Sequence, residues 1–311
     1  MALVFKRKVI LFKVETTPGT DSVPAAATDA MLVRNFAITP ISQDNDQRDF
    51  DINYVGDVGR IPGGARVDFS FEVEMAGSGA AGTAPAYAPL FKACGMSETI
   101  SAGVSAVYAP INPGAESTGT LYFYLGGRLH KAVYCIGNVK AMLTRGKIPV
   151  WQFNFLSIYV TPTDVAIPVP TVTGFKKPLA VTNVNTTPVT LHGFSGKFSD
   201  ISLDVGNSML YRNLVGSESV RFVDRNSKGS IKLEDELVGT IDWWTKIRAG
   251  TLGSLSVQHG VAAGAIVLIV APNVQLIDTK LDQQENISEL MMNMVLQPSS
   301  AGNDEWSITI K

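Results

Sequence analysis

Residues 66–75 alternate without a break: Val67, Phe69, Phe71, Val73 and Met75 are apolar, and Arg66, Asp68, Ser70, Glu72 and Glu74 are polar. A period of two puts the first set on one face of a β-strand and the second on the other. The strand therefore belongs to a sheet that is dry on one side and wet on the other. Residues 150–159 repeat the pattern, with Trp151, Phe153 and Phe155 alternating with Gln152 and Asn154. Further strand patterns cover 8–15, 32–38, 120–124, 132–142, 196–205, 229–237, 265–270, 273–278 and 287–296. This is a mainly β chain.

Helical signals are few and short. Residues 86–94 read as a helix if Pro89 sits in the first turn, with Gly95 ending it. Residues 241–249 read as another, with Thr240 as N-cap, Trp243, Trp244 and Ile247 on one apolar stripe, and Gly250 at the end. Two stretches break the pattern: Thr16 to Ala27, rich in Thr, Pro and Ala, and 161–188, with prolines at 162, 168, 170, 178 and 188. The second divides the chain into 1–160 and 189–311, joined by a Pro-rich linker.

The two parts resemble each other. Asn53-Tyr54-Val55-Gly56 matches Asn213-Leu214-Val215-Gly216, and Phe69-Ser70-Phe71-Glu72 matches Ile231-Lys232-Leu233-Glu234. A short helix ending in Gly95 or Gly250 follows each. Asn138-Val139 then matches Asn273-Val274, and Thr144-Arg145 matches Thr279-Lys280. The offset shrinks along the chain, which places extra sequence in the first part between Ser97 and His130. A duplicated unit of half-wet strands has a physical consequence. Open sheet edges invite aggregation unless they are paired, and a ring of subunits can pair them into one barrel with a polar interior.

Composition narrows the function. Hydrophobic residues make up 45% of the chain, enough for a sizeable core, and the formal net charge is -2. A protein that grips nucleic acid usually carries a basic excess to neutralise phosphates. The apolar run from Val9 to Phe12 is too short for a secretory signal, which needs about 7–15 residues. No stretch is long enough to span a membrane. Cys94 and Cys135 form no metal-binding pattern.

Other motifs favour structural readings. Gly77-Ser78-Gly79-Ala80-Ala81-Gly82 fits a dinucleotide fingerprint, but the strand before it alternates, whereas a Rossmann strand is apolar throughout. A flexible strand-to-helix loop is expected there and no cofactor. His130, His192 and His259 lack metal-ligand spacing, and no nucleophile elbow is present. Asp44, Asp46, Asp49 and Asp51 lack the glycine and glutamate of a calcium loop. No catalytic site is expected.

The runs ETTPGTD at 15–21, DAMLVRNFAITP at 29–40, the segment from Tyr54 to Gly79 and APLFKACG at 88–95 resemble the tail tube proteins of siphophages, in particular those of Pseudomonas phages and prophages. The resemblance is strongest over 15–95. It implies two tandem β-sandwich or barrel-like domains, each with one short flanking helix. With two such domains per chain, it implies trimeric rings of pseudo-sixfold symmetry, stacked into a tube for DNA. The lumen face would carry Asp68, Ser70, Glu72, Glu74, Lys232 and Glu234, with Lys228 and Lys232 offsetting the acids of the second copy. A loop over 40–65 would reach the next ring through Asp44, Asp46, Arg48, Asp49, Asp51 and Arg60. Partners would be other copies, a tape-measure protein and tail-end proteins. DNA would pass without specific binding, and the place would be the virion tail, assembled in the host cytoplasm. The rival readings are another phage ring protein, such as a terminator or baseplate hub, and a β-sandwich adhesin or carbohydrate-binding module.

Overall fold

A computed structural model describes residues 4–311. The first half holds β1 (Lys8–Val14), β2 (Ala30–Met31), β3 (Arg34–Gln47), β4 (Arg60–Glu74), α1 (Ala88–Ala93), β5 (Met96–Ser101), β6 (Ser105–Pro110), β7 (Gly119–Leu125), β8 (Arg128–Thr144) and β9 (Val150–Asp164). The second holds β10 (Val189–Leu191), β11 (Phe198–Asp204), β12 (Asn207–Leu214), β13 (Ser217–Arg225), β14 (Lys228–Glu234), α2 (Trp243–Ala249), β15 (Leu252–His259), β16 (Val267–Gln284), β17 (Ile287–Leu296) and β18 (Ser307–Ile310). The fold is mainly β, of sandwich type, and the strands pair antiparallel.

One ladder order occurs twice. In the first half it runs β1–β7–β8–β9–β4–β3. In the second it runs β10–β15–β16–β17–β14–β11. Leu143 of β8 then pairs with Ile201 of β11 and joins the two runs. Eight strands thus lie side by side in the order β3–β4–β9–β8–β11–β14–β17–β16. The long strands β8 and β16 start in the outer layer, against β7 and β15, and end in this eight-stranded sheet.

The dry face of the alternating strands fills the space between the layers. Val67, Phe69, Phe71, Val73, Trp151, Phe153 and Phe155 are all buried. Phe12 of β1 reaches across to Phe155, with ring centroids 5.4 Å apart, and Phe91 of α1 meets Trp151 edge-on at 5.1 Å. Each such side chain contributes about 1.5–3 kcal/mol by leaving water. One core cluster runs through both halves.

Several sequence expectations change. Residues 40–65 are no structureless loop: β3 and β4 continue as a ladder to Gln47↔Arg60, leaving only a tip at 48–59. The segments 265–270 and 273–278 form one strand, β16, with a bulge after Leu276. The N-cap of α2 is Asp242, not Thr240: its Oδ1 accepts from the Thr245 amide at 2.9 Å, and the helix begins at Trp243. Of the expected stripe on α2, Trp243 is buried but Trp244 is 45% exposed. The ladder also moves two string matches. Met142 holds the place of Gln284, so Thr144, two residues further on, is not the counterpart of Thr279. Val139 opposes Phe153, which opposes Phe71, while Leu281 opposes Leu290, which opposes Leu233. The ladder position of Val139 is therefore that of Leu281 and not of Val274. The extra sequence of the first half contains the β5–β6 hairpin, which pairs with β18 and buries Tyr108. In the Pro-rich segment, β9 continues to Asp164, and buried Val181 exchanges backbone hydrogen bonds with Gly146 and Lys147 at 2.9 Å.

Candidate functional site

The eight-stranded sheet has one apolar face in the core and one outer face, polar and in water except where Leu156 and Ile158 lie under the β12–β13 hairpin. Asp68, Ser70, Glu72 and Glu74 lie on the polar face of β4, and Lys232 and Glu234 lie on that same face of β14. Register shows this directly. Glu72 opposes Gln152, Gln152 opposes Lys140, Lys140 opposes Asp204, and Asp204 opposes Lys228. Directly opposed residues share a face.

Across β3 to β16 the carboxylates of this face include Asp44, Asp68, Glu72, Glu74, Asp200, Asp204, Glu234, Asp278, Asp282 and Glu289. Six cations accompany them: Arg34, Arg66, Lys140, Lys228, Lys232 and Lys280. Carboxylates outnumber cations on this face. The two halves differ in texture. The row through Ser70, Asn154 and Asn138 is neutral. Its counterpart holds Lys232, whose Nζ is 3.0 Å from Asp282 Oδ2 and 2.7 Å from Glu289 Oε2. Those contacts raise the Lys232 pKa and hold the Asp282 carboxyl below its ordinary range. Near the β3 edge, Arg34 lies 3.6 Å from both Glu72 and Glu74.

Among the described residues, two ends of this sheet have no neighbour. β3 pairs only with β4, and its Pro40 and Ile41 are exposed. Beyond Gln275, β16 pairs only with β17. Proline is at home on an edge strand because it lacks a ladder donor.

The residues expected on the inter-ring loop occupy the β3–β4 hairpin instead. Arg66 donates to Asp44 at 2.9 Å, and Arg48 lies over the Phe50 ring at 4.7 Å. Asp46, Asp49, Asp51 and Arg60 are exposed around the tip. The tip also exposes Tyr54 (67%) and Val55 (100%). The sequence gives no sign that a second hairpin, β12–β13, lies over the polar face of the first half. There Val220 and Phe222 bury Ile136 and pack against Leu156 and Ile158.

The remaining motifs serve packing. A Cβ on Gly77 would sit 2.1 Å from the Gly264 oxygen, and one on Gly82 would sit 2.2 Å from the Gly103 nitrogen, so these glycines allow close backbone approach. The three histidines are apart. His259 Nδ1 meets Thr186 Oγ1 at 2.8 Å, His192 Nε2 donates to the Val274 carbonyl at 2.9 Å, and His130 stacks on Phe123. Burial lowers the pKa of each. Cys94 and Cys135 are free and buried.

A half-wet sheet, its ladder order repeated along one chain and its outer strands open to a further strand, defines the class of β protein that this chain represents. Residues 6–289 match the family model described as phage tail tube protein, and the chain belongs to that family. It is thus a structural component of a phage tail. Among curated proteins, none matches the chain.

Proposed function

We propose that the chain forms closed rings that stack into a tube, with the polar sheet face lining a channel for DNA. The observation that supports this is the eight-stranded sheet, polar on one side and unpaired at both ends. The repeated ladder order favours a duplicated unit and so a trimer: three chains of eight strands make a barrel of about 24. At about 4.8 Å per strand and about 40° tilt, its backbone circle is roughly 45–50 Å across. Barrels of about 16–18 strands already hold an aqueous channel.

In this reading the face selects against adhesion. An acidic excess repels phosphates, and the repulsion fades within a Debye length of about 8 Å at physiological salt. DNA at the wall is pushed away, while DNA at the centre feels little. The exposed β3–β4 tips reach the adjacent ring. The role is structural and not catalytic. The partners are further copies, a tape-measure protein in the channel before ejection and tail-end proteins, and assembly takes place in the host cytoplasm.

Negative-stain microscopy of the purified protein tests the reading. Hollow tubes are expected. Rings that never elongate would instead favour a terminator or hub, and monomers at every concentration would overturn the proposal.

A further inference from the structure

The junction between β8 and β11 is a closed version of what the two free edges leave open. In the repeated ladder order, β11 holds the place of β3, and β8 holds the place of β16. The chain therefore contains, once and internally, the contact that its own ends lack.

Corresponding positions differ in exposure as a missing neighbour requires. Val139 of β8 is fully buried, and its carbonyl accepts from the Val205 amide at 3.1 Å. Leu281, at the same ladder position in β16, is 58% exposed. Leu203 of β11 is fully buried, whereas Ile41, at the corresponding place on β3, is 44% exposed. The same strands, with the same apolar pattern, are covered where a partner exists and bare where none does.

Resting on the ring reading, we infer that β3 of one copy pairs antiparallel with β16 of the next in the register that β11 makes with β8, so that Thr39 faces Gln284 and Ser42 faces Asp282. The register follows from the ladders. Ser202 opposes Met142 and Asp204 opposes Lys140. Ser202 opposes Ser230, the counterpart of Asp68, which opposes Thr39. Met142 opposes Val150, and its place in β16 is that of Gln284 opposite Ile287. The one-residue bulge between Thr39 and Ser42 brings Ser42 to the place of Asp204. Leu281 and Ile41 are then covered, and the Leu281 carbonyl gains a donor from the neighbouring strand.

Paired cysteines test the register. The Val205–Val139 bond makes odd-numbered β8 positions the hydrogen-bonded pairs, so Ser202/Met142 and Asp204/Lys140 are non-hydrogen-bonded pairs. There Cα atoms stand about 4.5 Å apart, within disulfide reach. Thr39→Cys with Gln284→Cys, and separately Ser42→Cys with Asp282→Cys, are oxidised in the assembled full chain. Both native cysteines are fully buried and do not compete. Each pair is expected to cross-link copies at least about tenfold more than the diagonal pair Thr39→Cys with Asp282→Cys, whose side chains would lie about 7–8 Å apart. Tubes that form but cross-link through the diagonal pair would overturn the register and leave the ring reading standing. Absence of any assembly by microscopy would overturn both. Should a cysteine variant fail to fold, hydrogen exchange on the unmodified protein decides: the amides of Leu281 and Gln283 are expected to slow on assembly, and unchanged exchange there in intact tubes would overturn the pairing.

Discussion

The two long hairpins start alike and end differently. In the first half, β3 and β4 run straight to a tip that ends in Asn53-Tyr54-Val55-Gly56. In the second half the hairpin begins as β11–β14, breaks, and continues as β12–β13 to Asn213-Leu214-Val215-Gly216. The break is locked. Gly206 has φ +72°, and a Cβ there would lie 2.0 Å from the Asn226 oxygen. Asn207 donates to the carbonyls of Cys94 and Gly137 at 2.6 and 3.0 Å, and its amide donates to Asn138 Oδ1 at 2.9 Å. Beyond the break the hairpin folds onto β8 and β9. The difference teaches that the hairpin seeks a surface: the second finds one in its own chain, and the first ends in exposed apolar residues.

The largest effect separates the two hairpins by one substitution in each. Val220→Asp would place an unpaired carboxylate at a fully buried site facing Ile136. A cost of about 3 kcal/mol is expected, seen as a fall in Tm of the unassembled chain. Val55→Asp, at a fully exposed site, should change Tm by no more than about 0.5 kcal/mol equivalent and yet reduce tube length by microscopy. Equal Tm losses in both would break the comparison.

Gly206→Ala comes next. It forces a side chain into a left-handed position against backbone, at a cost of about 2 kcal/mol in denaturant unfolding. A neutral result would mean that the break does not depend on Gly206.

What the sequence revealed and what it hid follow from the same physics. The alternation of 66–75 and 150–159 located β4 and β9, because a two-sided environment leaves a two-residue period. The polar residues on the wet face were legible for the same reason. The ladder in 40–65 was not, because Gln43 to Gln47 are exposed on both faces and such a strand has no period to read. The β12–β13 hairpin was hidden because its partner surface, Ile136 and Leu156, comes from a distant part of the chain. The string matches at Asn273 and Thr279 failed because β16 carries more residues through the outer layer than β8 does before the two reach equivalent rungs.

Acid should act on both halves, through His130 in the first and through His192 and His259 in the second. His192 and His259, both in the second half, are held neutral by burial, which lowers their pKa below the usual imidazole value. In the unfolded chain they bind protons more readily, so this part of the stability is present above the ordinary imidazole pKa and is lost as pH falls through it. Thermal melts between pH 7.5 and 5.5 should show declining Tm. His259→Gln, which cannot take up the proton, should flatten that decline; an unchanged slope would remove His259 from the account.

The smallest effect concerns the charged row of the polar face. Lys232 is anchored by Glu289, a buried carboxylate, and by Asp282, half in water. Its counterpart in the first half is Ser70, in a row with no charge to balance. Lys232→Gln should therefore cost about 1 kcal/mol or less, chiefly by leaving Glu289 without its cation. The sign with pH is fixed by the two shifts. Asp282 is held below its ordinary pKa, so its contribution is present at neutral pH and disappears as acid protonates it. Lys232 is held above its ordinary pKa, so its contribution persists until strong alkali. The Tm difference between Lys232→Gln and the unmodified protein should stay level from about pH 5 to 9 and shrink below about pH 4. The variant should still form tubes, because one more uncompensated carboxylate makes that face more acidic without touching either free edge. If tubes were lost while Tm held, Lys232 would belong to a contact between copies, and the polar face would no longer be free to line a channel.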